Sequence, residues 1–394
     1  MAKEGEHTLH WYGSWGASPQ PVSPGFAEPP VIEDQTVRQV LRLSLGGSHV
    51  RLRLSNAHSS APLVVGATRL AVAGPEGRVR PGTDREVSFS DANSVTLRQG
   101  ESVVSDPVEL ELDDRAHLAV SLFLPGKPVI AAWHSTGAQT AYISEPGDHT
   151  GDETFPTAAT FEQRLVVAGV DAASETAKAA IVCFGDSVTD GAGSTVDTDS
   201  RWPDHLARRL AERDGKLGYG VVNAGISGSR LLRDVIGMRG LKRFERDVLT
   251  VPGVKYVTLL YGNNDLGFPY MPDDSPLAEV ADRSPVKAAD IIDGQQKIAA
   301  MAREKKLKII GGTLPPFLGA PFFDAAKADG ERLQVNDWIR DGGAFDAVVD
   351  FDKILRDPNN PSQLLPAYDS GDHLHPSDAG YKAMAEAIDL KLFP

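Results

Sequence analysis

Ser187 stands where an apolar run, Ile181-Val182-Cys183-Phe184-Gly185, breaks into the small polar turn Asp186-Ser187-Val188-Thr189-Asp190-Gly191. A serine at such a strand-to-helix turn has an exposed hydroxyl. The first N–H groups of the helix it opens have no internal acceptor, so the position suits a nucleophile that brings its own oxyanion donor. The plainer reading is a helix N-cap. Far along the chain, Asp369-Ser370-Gly371-Asp372-His373-Leu374-His375-Pro376 puts an acid and a base three residues apart. There Asp372 can accept from one ring nitrogen of His375 and leave the other to take the proton of Ser187. The same stretch offers Asp372, His373, His375 and Asp378 as metal ligands or as a helix cap, and taken alone it does not choose.

Two further loops carry polar groups that such a pair would need. Asn223-Ala224-Gly225-Ile226-Ser227-Gly228-Ser229 has glycines that let a backbone N–H approach a ligand, and Gly262-Asn263-Asn264-Asp265 offers a short side-chain amide. Each alone reads as a tight turn, the second with Asx capping.

The elements around these loops give them a common edge. From 179 onward strands alternate with helices: strands at 179–185, 219–223, 254–261, 307–313 and 347–351. Helices are predicted from Trp202-Pro203, over 241–249, from a Ser284-Pro285 cap to 306, over 325–340, and over 377–392. Five such units without hairpin signals predict a doubly wound parallel sheet whose site lies beyond the strands' C-terminal ends. The four loops fall at the ends of strands one, two, three and five. Before 170 the pattern is different, with short Val- and Leu-rich runs at 37–45, 49–55, 63–72, 86–89, 108–112 and 117–124 separated by turns, which predicts an all-β sandwich. A change to Ala, Ser, Glu, Thr and Lys over 171–178 marks a connection, so the expected division is a sandwich over 1–172 and an α/β unit over 173–394.

Composition bounds the class of function. With 41% hydrophobic and 24% charged residues, the 394-residue chain is that of a soluble globular protein with room for two cores. A formal net charge of -14 and scattered basic residues argue against a nucleic-acid or anionic-membrane surface. The single cysteine, Cys183, sits inside the apolar run and reads as core. Residues 1–10 are polar and carry no apolar segment of signal-peptide or membrane-span type, so the expected compartment is cytoplasmic, or outside the cell if a leader has been removed. No phosphate-cradling glycine pattern follows the first strand, and the Gly-x-Ser-x-Gly elbow of α/β-hydrolases is absent.

Together, Gly185-Asp186-Ser187-x-Thr189-x-Gly191, Gly228, Gly262-x-Asn264-Asp265 and Asp372-x-x-His375-Pro376 resemble the four blocks of the SGNH, or GDSL, hydrolase superfamily of esterases and lipases. The likeness covers roughly 179 to the C-terminus. The start, Trp11-Tyr12-Gly13-Ser14-Trp15, is similar to two-domain bacterial members with a β-sandwich, jelly-roll-like domain in front. The resemblance implies a flavodoxin-like sheet, Ser187 as nucleophile, His375 as base and acid, and Asp372 as its orienter. It implies an oxyanion hole from the Ser187 and Gly228 N–H groups and the Asn264 amide, the choice of Gly228 over Gly225 resting on the family pattern alone.

The expected reaction is hydrolysis of short-chain, chiefly acetyl, carboxylic esters of a small molecule or carbohydrate, with no metal or organic cofactor. The alternative within the class is a lipase for longer acyl chains. Apolar loops beside the four blocks are expected to line the pocket through Phe268, Tyr270, Phe317 and Tyr368. Two other readings remain open from the sequence. One is a carbohydrate-binding protein with a minor hydrolase activity, in which Trp11, Trp15 and Trp133 make a sugar platform. In the other, Asp372, His373 and His375 hold a metal that activates water.

Overall fold

The computed structural model describes residues 8–23, 28–214 and 218–394; residues 1–7, most of the polar start, lie outside them. The first part of the chain forms two antiparallel sheets. One carries Trp11–Gly16, Val167–Ala173, Gly47–Ser55 and Ser102–Val104 in that order, with Val108–Leu112 also paired to Gly47–Ser55. The other runs Thr157–Phe161, Ala141–Pro146, Gln35–Arg42, His117–Leu124, Thr68–Val72 and Arg85–Glu86. Their inner faces supply Val37, Leu41, Val50, Leu52, Leu54, Leu118, Val120 and Leu122 to one apolar core, as alternating strands of a sandwich do.

The run expected over 63–72 splits into Leu63–Val65 and Thr68–Val72, because Gly66 turns to give its N–H to the Phe123 carbonyl. Several strands lacked a clear signal, among them Trp11–Gly16, Ser102–Val104, Ala141–Pro146, Thr157–Phe161 and Val167–Ala173. The last of these reaches into the expected connection, since the buried Asp171 is paired with Arg51 and Arg53 on the neighbouring strand.

The second part is a five-stranded parallel sheet of Ala179–Gly185, Tyr219–Gly225, Val254–Leu260, Lys308–Gly312 and Ala347–Val349. Their spatial order is second, first, third, fourth, fifth. This is the flavodoxin-like order, with its switch point at the first strand. Near-continuous apolar runs such as Ile181, Val182, Cys183 and Phe184 are fully buried, as a sheet covered on both faces requires. Cys183 is core, and burial pushes its thiol well above the usual range.

Some element ends differ from expectation. The fifth strand stops at Val349, because the Asp350 carboxylate caps a short helix, Phe351–Leu355, by accepting the Lys353 N–H. The long helix starts at Ala288 rather than at Ser284, with Asp290 accepting the Lys287 N–H. The helix expected over 241–249 is α only over Gly240–Phe244 and widens to a π turn over Glu245–Leu249.

The two parts touch along Trp11–Gly16, which lies against Tyr219–Gly225. A Cβ on Gly220 would sit 2.0 Å from the Gly13 carbonyl oxygen, so only glycine lets these backbones meet. Gly13 donates to the Pro252 carbonyl, and the Ser44 hydroxyl accepts the Val221 N–H. No helix among the described residues is long and apolar enough to cross a membrane.

Candidate active site

The first parallel strand delivers Ser187 to the switch point as the first residue of a four-residue helix, Ser187–Asp190. The N-cap is Asp186, one residue earlier than the capping reading of the sequence placed it. Its carboxylate accepts the Val188 N–H at 3.1 Å, which leaves the serine hydroxyl free for other work. Burial pushes the Asp186 carboxyl up to about 7, against the pull of that N–H and of His375.

Ser187 Oγ lies 2.8 Å from His375 Nε2, and His375 Nδ1 lies 2.6 Å from Asp372 Oδ2. The network assigns the hydrogen on Nδ1 to Asp372 and leaves Nε2 as acceptor for the serine hydroxyl. The other oxygen of Asp372 accepts the Leu374 and His375 N–H groups at 2.9 and 2.8 Å. Partial burial pulls the Asp372 proton affinity up, but the His375 contact and these two N–H groups outweigh it and hold the carboxyl far below its ordinary value. A bridge between Asp369 and Pro376 closes the loop at its base. The loop does not follow the fifth strand directly, because the helix Phe351–Leu355 and a long irregular stretch intervene.

His373 turns from this group and pairs with Asp369 at 2.6 Å. Each histidine of the loop thus has its own carboxylate, and among the described residues no three His, Cys, Asp or Glu side chains converge as metal ligands.

The second and third loops meet beside Ser187. Gly228 has φ +75°, and a Cβ there would press on Ile236, so the turn that presents its N–H requires glycine. Asn264 gives one amide hydrogen to the Ser229 carbonyl at 2.9 Å, and its side chain borders the same cleft as Ser187, Gly228 and His375. Asp265, one residue on, accepts the Leu231 and Leu232 N–H groups at 2.6 and 3.0 Å and so clamps the two loops together.

A cleft of about 310 Å³ opens on this group. Its walls are chiefly Ile236, Phe268, Met271, Leu277, Phe322, Phe323 and Leu374, with Thr136, Ser227 and Ser275 as hydroxyls. Of the four wall residues expected from sequence, only Phe268 borders it. Tyr270 is half-buried with the Lys327 ammonium over its ring, Phe317 is fully buried edge-on to Phe323, and Tyr368 packs on the domain core. Phe322 went unnoticed in the sequence; it is 46% exposed with its ring edge-on to His375.

Other residues that shape the site carried no recognisable motif. Arg243 is fully buried, donates to the Gly185 and Ala224 carbonyls at 2.7 and 2.8 Å, and lies 4.3 Å from the Phe184 ring centre. His134 and Thr136 reach the site from the first part of the chain. Trp133 beside them is buried, as is Trp15, while Trp11 is half-buried and stacked by Arg51, so the three do not form one exposed platform.

Solved structures similar to this chain include a G-D-S-L family lipolytic protein of Desulfitobacterium hafniense (22% identity, TM-score 0.38) covering 53% of this chain and 96% of its own. A Mycobacterium smegmatis aryl esterase is 17% identical with TM-score 0.41, covering 53% and 95%. A variant of an acetyl-xylooligosaccharide esterase of Geobacillus stearmophilus is 23% identical with TM-score 0.40, covering 54% and 92%. No curated protein matches the chain. The family model for GDSL-like lipases and acylhydrolases matches residues 183–383, just over half of the chain and the whole span from the strand before Ser187 to the helix after His375. The chain therefore belongs to the GDSL-like lipase/acylhydrolase family and is an ester-cleaving enzyme of that kind.

Proposed function

We propose that the protein hydrolyses short-chain carboxylic esters through an acyl-serine intermediate, with Ser187, His375 and Asp372 as its catalytic group. The observation that carries this is the unbroken chain from Ser187 Oγ through both nitrogens of His375 to Asp372, at 2.8 and 2.6 Å, on the floor of an apolar cleft. His375 takes the serine proton as Oγ attacks the ester carbonyl. The N–H groups of Ser187 and Gly228 and the second amide hydrogen of Asn264 receive the developing oxyanion. His375 then protonates the leaving alcohol, and water repeats the sequence to free the acid. Asp372 stays ionised throughout and holds the ring in the tautomer that accepts from serine.

The cleft lies at the small end of the range of about 300–1,000 Å³ for ligand pockets, which suits a short acyl group with its alcohol better than a long fatty chain. Ile236, Phe268, Met271 and Leu277 form its apolar side by the oxyanion donors and would take the acyl group. Phe322 stands against His375, where the alcohol departs. An exposed ring there suits an aryl alcohol or the apolar face of a sugar, and acetylated carbohydrate is the natural substrate class we favour.

The test is hydrolysis of p-nitrophenyl acetate, butyrate, octanoate and palmitate by the wild type and Ser187→Ala, each with and without chelator. Activity that falls with chain length, disappears in the variant and ignores the chelator is expected. Activity that survives in Ser187→Ala would overturn the acyl-serine route, and a preference for palmitate would replace the short-chain reading with a lipase.

A further inference from the structure

The stretch Trp133–His134 and the two residues after it belong to the first part of the chain, outside the family-matched segment, yet they reach the candidate active site. His134 is 4% exposed, and its Nε2 lies 2.9 Å from Oδ1 of Asp190, a carboxylate only 1% exposed. Asp190 closes the helix that Ser187 opens. Its other oxygen accepts both the N–H and the hydroxyl of Ser227, each at 2.8 Å. Ser227 immediately precedes Gly228. Thr136 Oγ1 lies 2.9 Å from the Ser227 hydroxyl and borders the cleft. A single buried carboxylate therefore ties the nucleophile's helix to the oxyanion loop, and the residue that completes its shell comes from the β sandwich.

We propose that His134 is a positioning residue for ester hydrolysis, holding the Asp190–Ser227 bridge so that the Gly228 N–H faces the oxyanion formed at Ser187. The inference rests on the acyl-serine reading above. The hydrogen-bond inventory supports it. His134 Nδ1 lies 3.0 Å from the Ser18 carbonyl, so the ring is held between two oxygen acceptors, one on each part of the chain. Burial pulls the Asp190 proton affinity up, but His134 and Ser227 outweigh it and keep the carboxyl below its ordinary value. Without His134 the buried carboxylate loses one of the three hydrogen-bond donors its oxygens have among the described residues. It would then take a proton or turn away, and Ser227 would lose its anchor. Displacement of one oxyanion donor is felt in the transition state rather than in ground-state binding, so kcat should fall while KM holds.

The experiment measures kcat and KM on p-nitrophenyl acetate, and the rate of Ser187 modification by diethyl p-nitrophenyl phosphate, for wild type, His134→Ala, His134→Gln and Thr136→Val. Wild-type enzyme without Ser187-dependent activity would sink the acyl-serine reading itself, whatever the variants do. With an active wild type, the expected result is a folded His134→Ala with kcat at least tenfold lower, KM within about threefold, and slower phosphorylation of Ser187. His134→Gln keeps a donor for Asp190 and should recover part of kcat; Thr136→Val should lose about threefold. A folded His134→Ala with kcat within threefold of wild type overturns the proposal, as does a His134→Gln no better than alanine. If His134→Ala does not fold, the other two variants decide: a lowered kcat at unchanged KM in both supports the positioning role, and wild-type kcat in both overturns it.

Discussion

The side-chain amide of Asn264 donates to the Ser229 carbonyl at 2.9 Å, so the loops after the second and third parallel strands are joined at the point where both face Ser187. One amide hydrogen is spent on this tie, and the tie aims the other. Asn264→Ala should therefore remove one of the three proposed oxyanion donors and loosen the loop that carries Gly228. By comparison with other oxyanion donors the barrier should rise by about 3 kcal/mol, roughly a hundredfold in kcat. Steady-state kinetics on p-nitrophenyl acetate checks this, and a kcat within about threefold of wild type would remove Asn264 from the mechanism.

Asp186 gives a prediction about pH. Its folded-state proton affinity is raised from an ordinary 3.8 to about 7 by burial. The folded protein therefore holds this proton where the unfolded chain has lost it. The associated stability is fully present below about pH 4 and is lost as the pH rises towards 7. Asparagine can still cap the helix through its side-chain oxygen and has no proton to lose. Relative to wild type, Asp186→Asn should gain stability on the order of 3 kcal/mol between about pH 5 and pH 8. Urea unfolding at the two pH values measures the difference, and an identical pH dependence in both proteins would contradict it.

How legible these features were in the sequence follows from how local their causes are. Ser187 opens a helix, Asp372 and His375 share one short loop before the closing helix, and the residues that hold them lie within a few positions. The Asp372 carboxylate, for example, is set by two N–H groups from its own loop. The parallel strands were readable because a sheet covered on both faces needs unbroken apolar runs. Thr157–Phe161 was not, since this edge strand is largely exposed and carries no alternation. The cleft walls were the least readable. Phe317 and Phe322 are near neighbours of similar character, yet one is fully buried and the other stands beside His375, a choice made by the path of the irregular stretch around Gly319 rather than by residue type. His134 and Asp190 are 56 positions apart, and neither has a spacing rule that would pair it with the other.

Arg243 shows the same distance from local rules, and it makes the last prediction. Its guanidinium is fully buried in the π-widened helix region and meets five acceptors that belong to different elements. These are the Gly185 and Ala224 carbonyls at the ends of the first two parallel strands, the Tyr261 hydroxyl after the third, Asp247, and the Ser18 hydroxyl from the β region. The Tyr261 hydroxyl in turn meets the Ser229 hydroxyl, next to Gly228. Arg243→Met fills much of the space but takes a donor from two carbonyls and two hydroxyls, and removes one of the two arginines paired with Asp247. Breaking a buried pair in this way costs about 3–5 kcal/mol. Lysine should not rescue it, because three hydrogens on one nitrogen cannot reach acceptors spread around a planar fork. Urea unfolding should therefore place both Arg243→Met and Arg243→Lys well below wild type. A lysine variant as stable as wild type would mean that charge alone, and not the fork, holds the strand ends together.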